Sequence, residues 1–238
     1  MHMRAVGNTV IAAVTAVALC AGAWLLRSGA ETHAPPQPSA AQAAHAGGDD
    51  SGDDAAIGSA PALPPSPPDR IRIPAIHVDA PLTGLALTAT GGLGVPPAEK
   101  KNLAGWYEAG TTPGERGTAI VAGHVDNGEG PAVFYDLGAL RRHATIEVDR
   151  RDGTVAVFTV DAVEVHDARH FPDTKVYGAA ARPELRVITC GGGYSKTTGY
   201  QGNVVVFAHL TGSHWTGDRS YASMAKGMSG LARAPRSR

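Results

Sequence analysis

Cys190 stands in the run Val187-Ile188-Thr189-Cys190-Gly191-Gly192-Gly193, where an apolar alternation predicts a strand and three glycines end it. A side chain at a strand end can emerge into a cleft, and glycines let the backbone bend sharply while a substrate approaches closely. A free cysteine is most often an inert apolar filler. This one is the only cysteine outside an apolar N-terminal run, and its position marks it as a candidate nucleophile. A thiol with its ordinary pKa of about 8.5 is only a few per cent ionised at neutral pH, so it needs a partner. A histidine within hydrogen-bond reach supplies one, taking the proton and later protonating a leaving amine.

Six histidines lie between residues 70 and 210: His77, His124, His143, His166, His170 and His209. His124, in Ile120-Val121-Ala122-Gly123-His124-Val125-Asp126, ends a short buried run after a glycine, the same context as Cys190. His77, His166 and His209 sit inside alternating segments and read as surface or structural. The histidines lack HExxH or C-x₂-C spacing, so no metal is expected. The glycines after Cys190 open no helix and lack GxxxxGK[ST], which excludes a phosphate loop. No cofactor is implied.

The elements that must position such a pair read as strands. Ile71–Ile73 and Ile76–Val78 alternate around Pro74, and Thr118–Ala122 is a short buried run. Ala144–Asp149 and Thr154–Val160 flank Asp152-Gly153, a hairpin signal. Ala162–His166, Leu185–Thr189 and Asn203–Leu210 complete the set, and only Ala132–Arg142 reads as a short helix. Short strands separated by turn signals predict an all-β barrel or sandwich.

This domain is one part of a segmented chain of 238 residues. Ala5–Leu26 is 22 residues without a formal charge, bracketed by Arg4 and Arg27, long enough to cross a hydrocarbon core as a helix. Residues 1–27 are predicted as an uncleaved single-pass anchor, a cleaved signal being the rival, with the N-terminus inside and the rest extracellular. Residues 28–69 are predicted as a disordered linker: 29 of 42 are Ala, Pro, Gly or Ser, with six carboxylates and no Lys or Arg. The catalytic domain is placed at 70–211. Residues 212–238 read as a basic tail. Lys and Arg number 21 against 22 Asp and Glu, so no overall field steers the chain to nucleic acid.

The sequence resembles the sortase family, cysteine transpeptidases of Gram-positive bacteria. The residues that carry the resemblance are Gly123-His124-Val125-Asp126, Phe134-Tyr135-Asp136-Leu137, Phe171-Pro172 with Val176-Tyr177-Gly178, Ile188-Thr189-Cys190-Gly191-Gly192, and Asn203–Ala208. The pairing of Thr-Cys-Gly-Gly with Gly-His-Val-Asp looks most like the actinobacterial class F subgroup. The resemblance implies an eight-stranded β-barrel with short helices, following the N-terminal transmembrane helix and linker. It also implies attack by Cys190 on an LPXTG-like sorting signal between Thr and Gly. An amine, commonly on a peptidoglycan precursor, would resolve the thioacyl intermediate, with His124 as general acid and base. The family's oxyanion-stabilising Arg has no counterpart, since residues 191–210 contain no Arg. Asn203 falls at that position; Lys196 and Arg186 are the other candidates for oxyanion or substrate binding. The competing expectations are a non-catalytic barrel that binds sorting signals or wall polymer, and another cell-wall cysteine peptidase or L,D-transpeptidase.

Overall fold

The computed structural model describes residues 34–43 and 58–217. A four-residue helix, α1 (Ala40–Ala43), precedes ten strands in chain order: β1 (Pro68–Ile73), β2 (Val78–Leu85), β3 (Ala104–Tyr107), β4 (Gly117–Gly123), β5 (Asp126–Asn127), β6 (Gly130–Pro131), β7 (Thr145–Arg150), β8 (Thr154–Asp167), β9 (Pro183–Ser195) and β10 (Gly199–Trp215). A second short helix, α2 (Asp173–Tyr177), lies between β8 and β9. Eight strands close a barrel in the order β1-β2-β3-β4-β9-β10-β8-β7, and β5 pairs with β6 beside it. Closure leaves no edge to template association. The all-β barrel with few, short helices is as expected.

Alternation along each strand divides the side chains into two layers. Val187 and Leu185 of β9, Val204, Val206 and Ala208 of β10, and Val121 of β4 point into the barrel, with Phe158 and Ile146 fully buried beside them. Their neighbours Ile188, Val205, Phe207, Ile120 and Ala162 point out of the wall formed by β4, β9, β10 and β8. Val176 of α2 and the partly buried Phe171, Leu93 and Tyr107 cover this outer face, making a second apolar cluster. Lys175 of α2 donates to both oxygens of the buried Glu164 carboxylate, at 2.9 and 2.7 Å, and its ammonium lies 5.2 Å from the Phe207 ring centre.

Three expectations are corrected. The linker expected over 28–69 does not reach the barrel as a disordered chain. Among residues 58–69, Ala60 N–H donates to Leu210 O and Leu63 N–H to Gly114 O, while the buried Ser66 N–H donates to Thr112. Pro68 and Asp69 are already in β1. Residues 212–215, expected in a basic tail, continue β10, because the long strand β8 extends back to Thr154, which pairs with Trp215. The helix expected over Ala132–Arg142 is only a single 3-10 turn, Leu137–Ala139, with Phe134, Leu137 and Leu140 buried in the barrel core. The proposed span Ala5–Leu26 lies outside the described residues.

Candidate functional site

β4 and β9 are parallel neighbours, with Ala122 opposite Ile188. Cys190 lies two residues beyond Ile188 on β9, and His124 is the first residue after β4. On the other side, β10 places Asn203 directly opposite Cys190, and β8 places His166 opposite Asn203. Parity puts Cys190 on the outward face with Ile188, and Asn203 there with Val205 and Phe207. Cys190 and Asn203 therefore face each other across β9 and β10, and His124 follows the end of the adjoining strand β4.

Local chemistry sharpens each position. Cys190 is exposed and carries no disulfide. Loss of hydration among its neighbours, and secondarily the Asp126 carboxylate, push its thiol up from the ordinary value. A preformed thiolate is disfavoured, so deprotonation must accompany attack. The His124 Nε2 lies 2.7 Å from Pro96 O. A carbonyl only accepts, so Nε2 carries the hydrogen, and Nδ1 is the nitrogen left to receive a proton. Asn203 Nδ2 is turned towards Thr189 O at 3.4 Å, the long end of hydrogen-bond range.

Gly123 makes the approach of the His124 turn possible. A Cβ built there would stand 2.7 Å from both Phe134 Cδ2 and Val133 Cγ1, while Thr189 Oγ1 donates to its carbonyl at 2.8 Å. The substitution Gly123→Ala is expected to destabilise the protein by about 1–3 kcal/mol through overpacking. A fall in the denaturant midpoint checks this, and an unchanged midpoint contradicts it.

The remaining sequence candidates stand elsewhere. Arg186 is buried four residues down β9; its guanidinium bonds Glu184 at 2.6 Å and stacks 4.6 Å from the Phe207 ring centre. Lys196 lies exposed at the tip of the β9–β10 hairpin. Of the other histidines, His166 lies 2.9 Å from Glu164 and packs edge-on to Phe171 and Phe207. Burial lowers its pKa below the ordinary range, opposed by Glu164 and reinforced by Lys175. His209 Nδ1 lies 2.7 Å from Asp161.

Sequence reasoning missed three contributors. Tyr200 of β10 donates a short hydrogen bond to Asp126, joining the β9–β10 hairpin to the turn after His124. Asp126 closes the Gly123-His124-Val125-Asp126 motif, but nothing in one sequence pairs it with Tyr200. Gln37, inside the supposed linker, accepts from Gly192 N–H at 3.1 Å through Oε1, and Gln42 of α1 donates to Leu140 O at 2.6 Å. A groove of ≈910 Å³ opens on the same outer face, lined by Leu87, Leu93, Tyr107, Arg116, Ile120 and Tyr177. Since Ile120 of β4 lies four residues before His124, the groove lies on the barrel-body side of that histidine.

A closed all-β barrel carrying an exposed cysteine within one strand and a histidine just past the end of its neighbour defines a class of candidate thiol acyl-transfer proteins. The sortase-domain family model matches residues 71–211. The chain belongs to the sortase family, whose members are generally cysteine transpeptidases. A search of curated proteins gave no match. Similar solved structures include sortase A of Listeria monocytogenes, with 16% identity over 66% of this chain and 96% of that one, TM-score 0.49. The sortase D5 transpeptidase of Clostridium perfringens is 21% identical over 61% of this chain and 79% of that one, TM-score 0.46. Sortase A of Corynebacterium diphtheriae is 21% identical over 62% of each chain, TM-score 0.48.

Proposed function

We propose that the chain is a membrane-anchored transpeptidase of the class F type that cleaves an LPXTG-like sorting signal between Thr and Gly. It transfers the acyl part to an amine of the cell wall, commonly one on a peptidoglycan precursor. The observation that carries this reading is Cys190 opposite Asn203, with His124 following the adjoining strand β4, beside an apolar groove. The class F assignment draws on Gly123–Asp126 together with Thr189–Gly192, and the single-pass anchor on the uncharged run Ala5–Leu26. Such an anchor would leave the domain outside the cell, where sorting signals are presented.

In the first step the Cys190 sulfur bonds to the Thr carbonyl carbon as its proton passes to His124. Collapse of the tetrahedral adduct breaks the C–N bond, and His124 protonates the departing Gly nitrogen. In the second step an amine attacks the thioester carbonyl, a C–N bond replaces the C–S bond, and the thiol is regenerated. The oxyanion that forms in both steps needs a donor. Asn203 is the candidate opposite Cys190, because Arg186 is committed to Glu184 and Lys196 stands at the hairpin tip. Its amide reaches Thr189 O only at long range, which leaves it able to turn to a stronger acceptor.

The substitution Asn203→Ala is expected to lower turnover about 10²-fold while changing peptide affinity little. Steady-state kinetics separate the two effects, and an unchanged turnover removes Asn203 from the role. The function itself is tested by incubating the full chain with a quenched LPXTG-like peptide and hydroxylamine. Formation of the Thr hydroxamate supports the transpeptidase. Peptide binding without product, across several signal variants, favours a binding barrel, a reading supported by the raised thiol and by the placement of both candidate cations away from Cys190.

A further inference from the structure

We infer that Asp126 and Tyr200 form the seat for the cationic end of the acceptor amine, on the side of Cys190 away from the apolar groove. This rests on the transpeptidase reading and adds to it the place and chemistry of the second substrate.

Strand direction gives the placement. β4 runs from the groove at Thr118 and Ile120 to His124, and the chain reaches Asp126 two residues later. On antiparallel β10, Asn203 faces Cys190, and Tyr200 lies beyond it towards the hairpin tip, opposite Tyr194. Cys190 and Asn203 thus separate two regions. An acyl chain held in the groove has its carbonyl at Cys190, so its leaving amine departs on the Asp126–Tyr200 side. The acceptor amine must approach the same carbonyl from the side just vacated.

The chemistry there suits a primary ammonium. Tyr200 holds one carboxylate oxygen, Oδ2, and thereby fixes the orientation of Asp126. The Tyr194 and Tyr200 rings meet edge to face at 5.1 Å, and Tyr194 is 64% exposed, leaving aromatic surface beside the carboxylate. A carboxylate with adjacent aromatic faces binds an ammonium by charge-assisted hydrogen bonds and cation–π attraction. The Tyr200 bond ties the carboxylate to the β9–β10 hairpin, on the strand that carries Asn203 opposite Cys190.

In the transfer step the bound ammonium gives one proton to neutral His124 and its nitrogen bonds to the thioester carbonyl. The C–S bond breaks, and the sulfur leaves as thiolate. Of the two protons the nitrogen loses in becoming an amide, one restores the Cys190 thiol and the other goes to solvent. Asp126 holds the ammonium before the first transfer and is itself unchanged.

The test is a competition in one vessel, with the full chain, an LPXTG-like peptide, triglycine and hydroxylamine at neutral pH. The triglycine amine is largely protonated there, whereas hydroxylamine is largely uncharged. The ratio of triglycine product to hydroxamate is expected to fall about tenfold in Asp126→Asn, and about threefold in Tyr200→Phe, which keeps the charge but loses its orientation. Asp79→Asn, removing a remote carboxylate paired with Arg70, controls for net charge and is expected to leave the ratio unchanged. Loss of fold lowers both products together and does not move the ratio. If Asp126→Asn yields no product, the ratio in Tyr200→Phe decides by the same criterion. An unaltered ratio overturns the seat alone. Absence of hydroxamate from the unsubstituted chain overturns the transpeptidase reading and the seat with it.

Discussion

Cys190→Ala is expected to abolish acyl transfer, leaving neither hydroxamate nor amide product above the uncatalysed rate. The expectation follows from covalent chemistry: without the sulfur there is no thioester, and no other described cysteine can replace it. The fold should survive, since the side chain is exposed on the outer face and the inward residues Thr189 and Val187 carry the packing of β9. Equal thermal midpoints for the two proteins therefore accompany the loss. The raised thiol adds a signature in pH. A group held above its ordinary value is less ionised at neutral pH than a free cysteine. Alkylation by iodoacetamide should be slow near pH 7 and keep accelerating above the range where a free thiol has levelled off. A plateau below that range contradicts the assignment of water-displacing neighbours and Asp126 as the groups that set the thiol.

His124→Ala is expected to lower turnover by about 10²–10⁴-fold, the range for loss of a positioned acid–base group. The Pro96 carbonyl holds Nε2–H, which selects the tautomer with a basic Nδ1, so the imidazole is oriented before substrate arrives. His124→Gln separates chemistry from structure. A glutamine amide can still donate to Pro96 O, yet it has no basic nitrogen. A loss in His124→Gln as deep as in His124→Ala assigns the effect to proton transfer. Recovery of turnover in the glutamine variant reduces His124 to a structural prop. Added imidazole should partly rescue the alanine variant and leave Cys190→Ala inactive.

Much of the barrel was legible because alternation reports burial on one face. The β7–β8 hairpin through Asp152-Gly153 follows it, while β4 and the cores of β9 and β10 were legible as apolar runs rich in β-branched residues. β3 escaped notice, since Ala104-Gly105-Trp106-Tyr107 is only four residues long, has no β-branched side chain and does not alternate; three of the four are buried, between β2 and β4. The ordered arm at 58–69 was misread for a different reason. Its composition is that of a linker, but its polar groups are satisfied by Gly114, Thr112 and Leu210, partners far away in sequence. Arg72 of β1 illustrates the same limit, since its ion pairs to Glu147 and Asp149 depend on β1 meeting β7 at barrel closure.

The site divides along similar lines. The adjoining glycines made Cys190 and His124 visible. For His124 the strand does end at Gly123, whereas β9 continues through Gly191–Gly193 to Ser195, because those glycines pair with β10 instead of turning away. Asn203 could be ranked only by its place before Val204–Ala208, and its position opposite Cys190 depends on register. Arg186 shows where parity is insufficient. It shares the Cys190 face, as its even spacing predicts, yet Glu184 and Phe207 engage its guanidinium four residues away from the thiol. The Asp126–Tyr200 bond spans 74 positions and could be found only after folding.

The central claim is that Cys190 is acylated by the segment of a sorting signal that precedes the scissile bond. Intact-mass measurement of the full chain, incubated with an LPXTG-like peptide and no added amine, tests it most directly. The account predicts a mass gain equal to the peptide segment ending at Thr less one water, mapping to the Cys190 peptide and released by hydroxylamine. An adduct that persists in Cys190→Ala, or peptide cleavage by the unsubstituted chain with no adduct on Cys190, would contradict it.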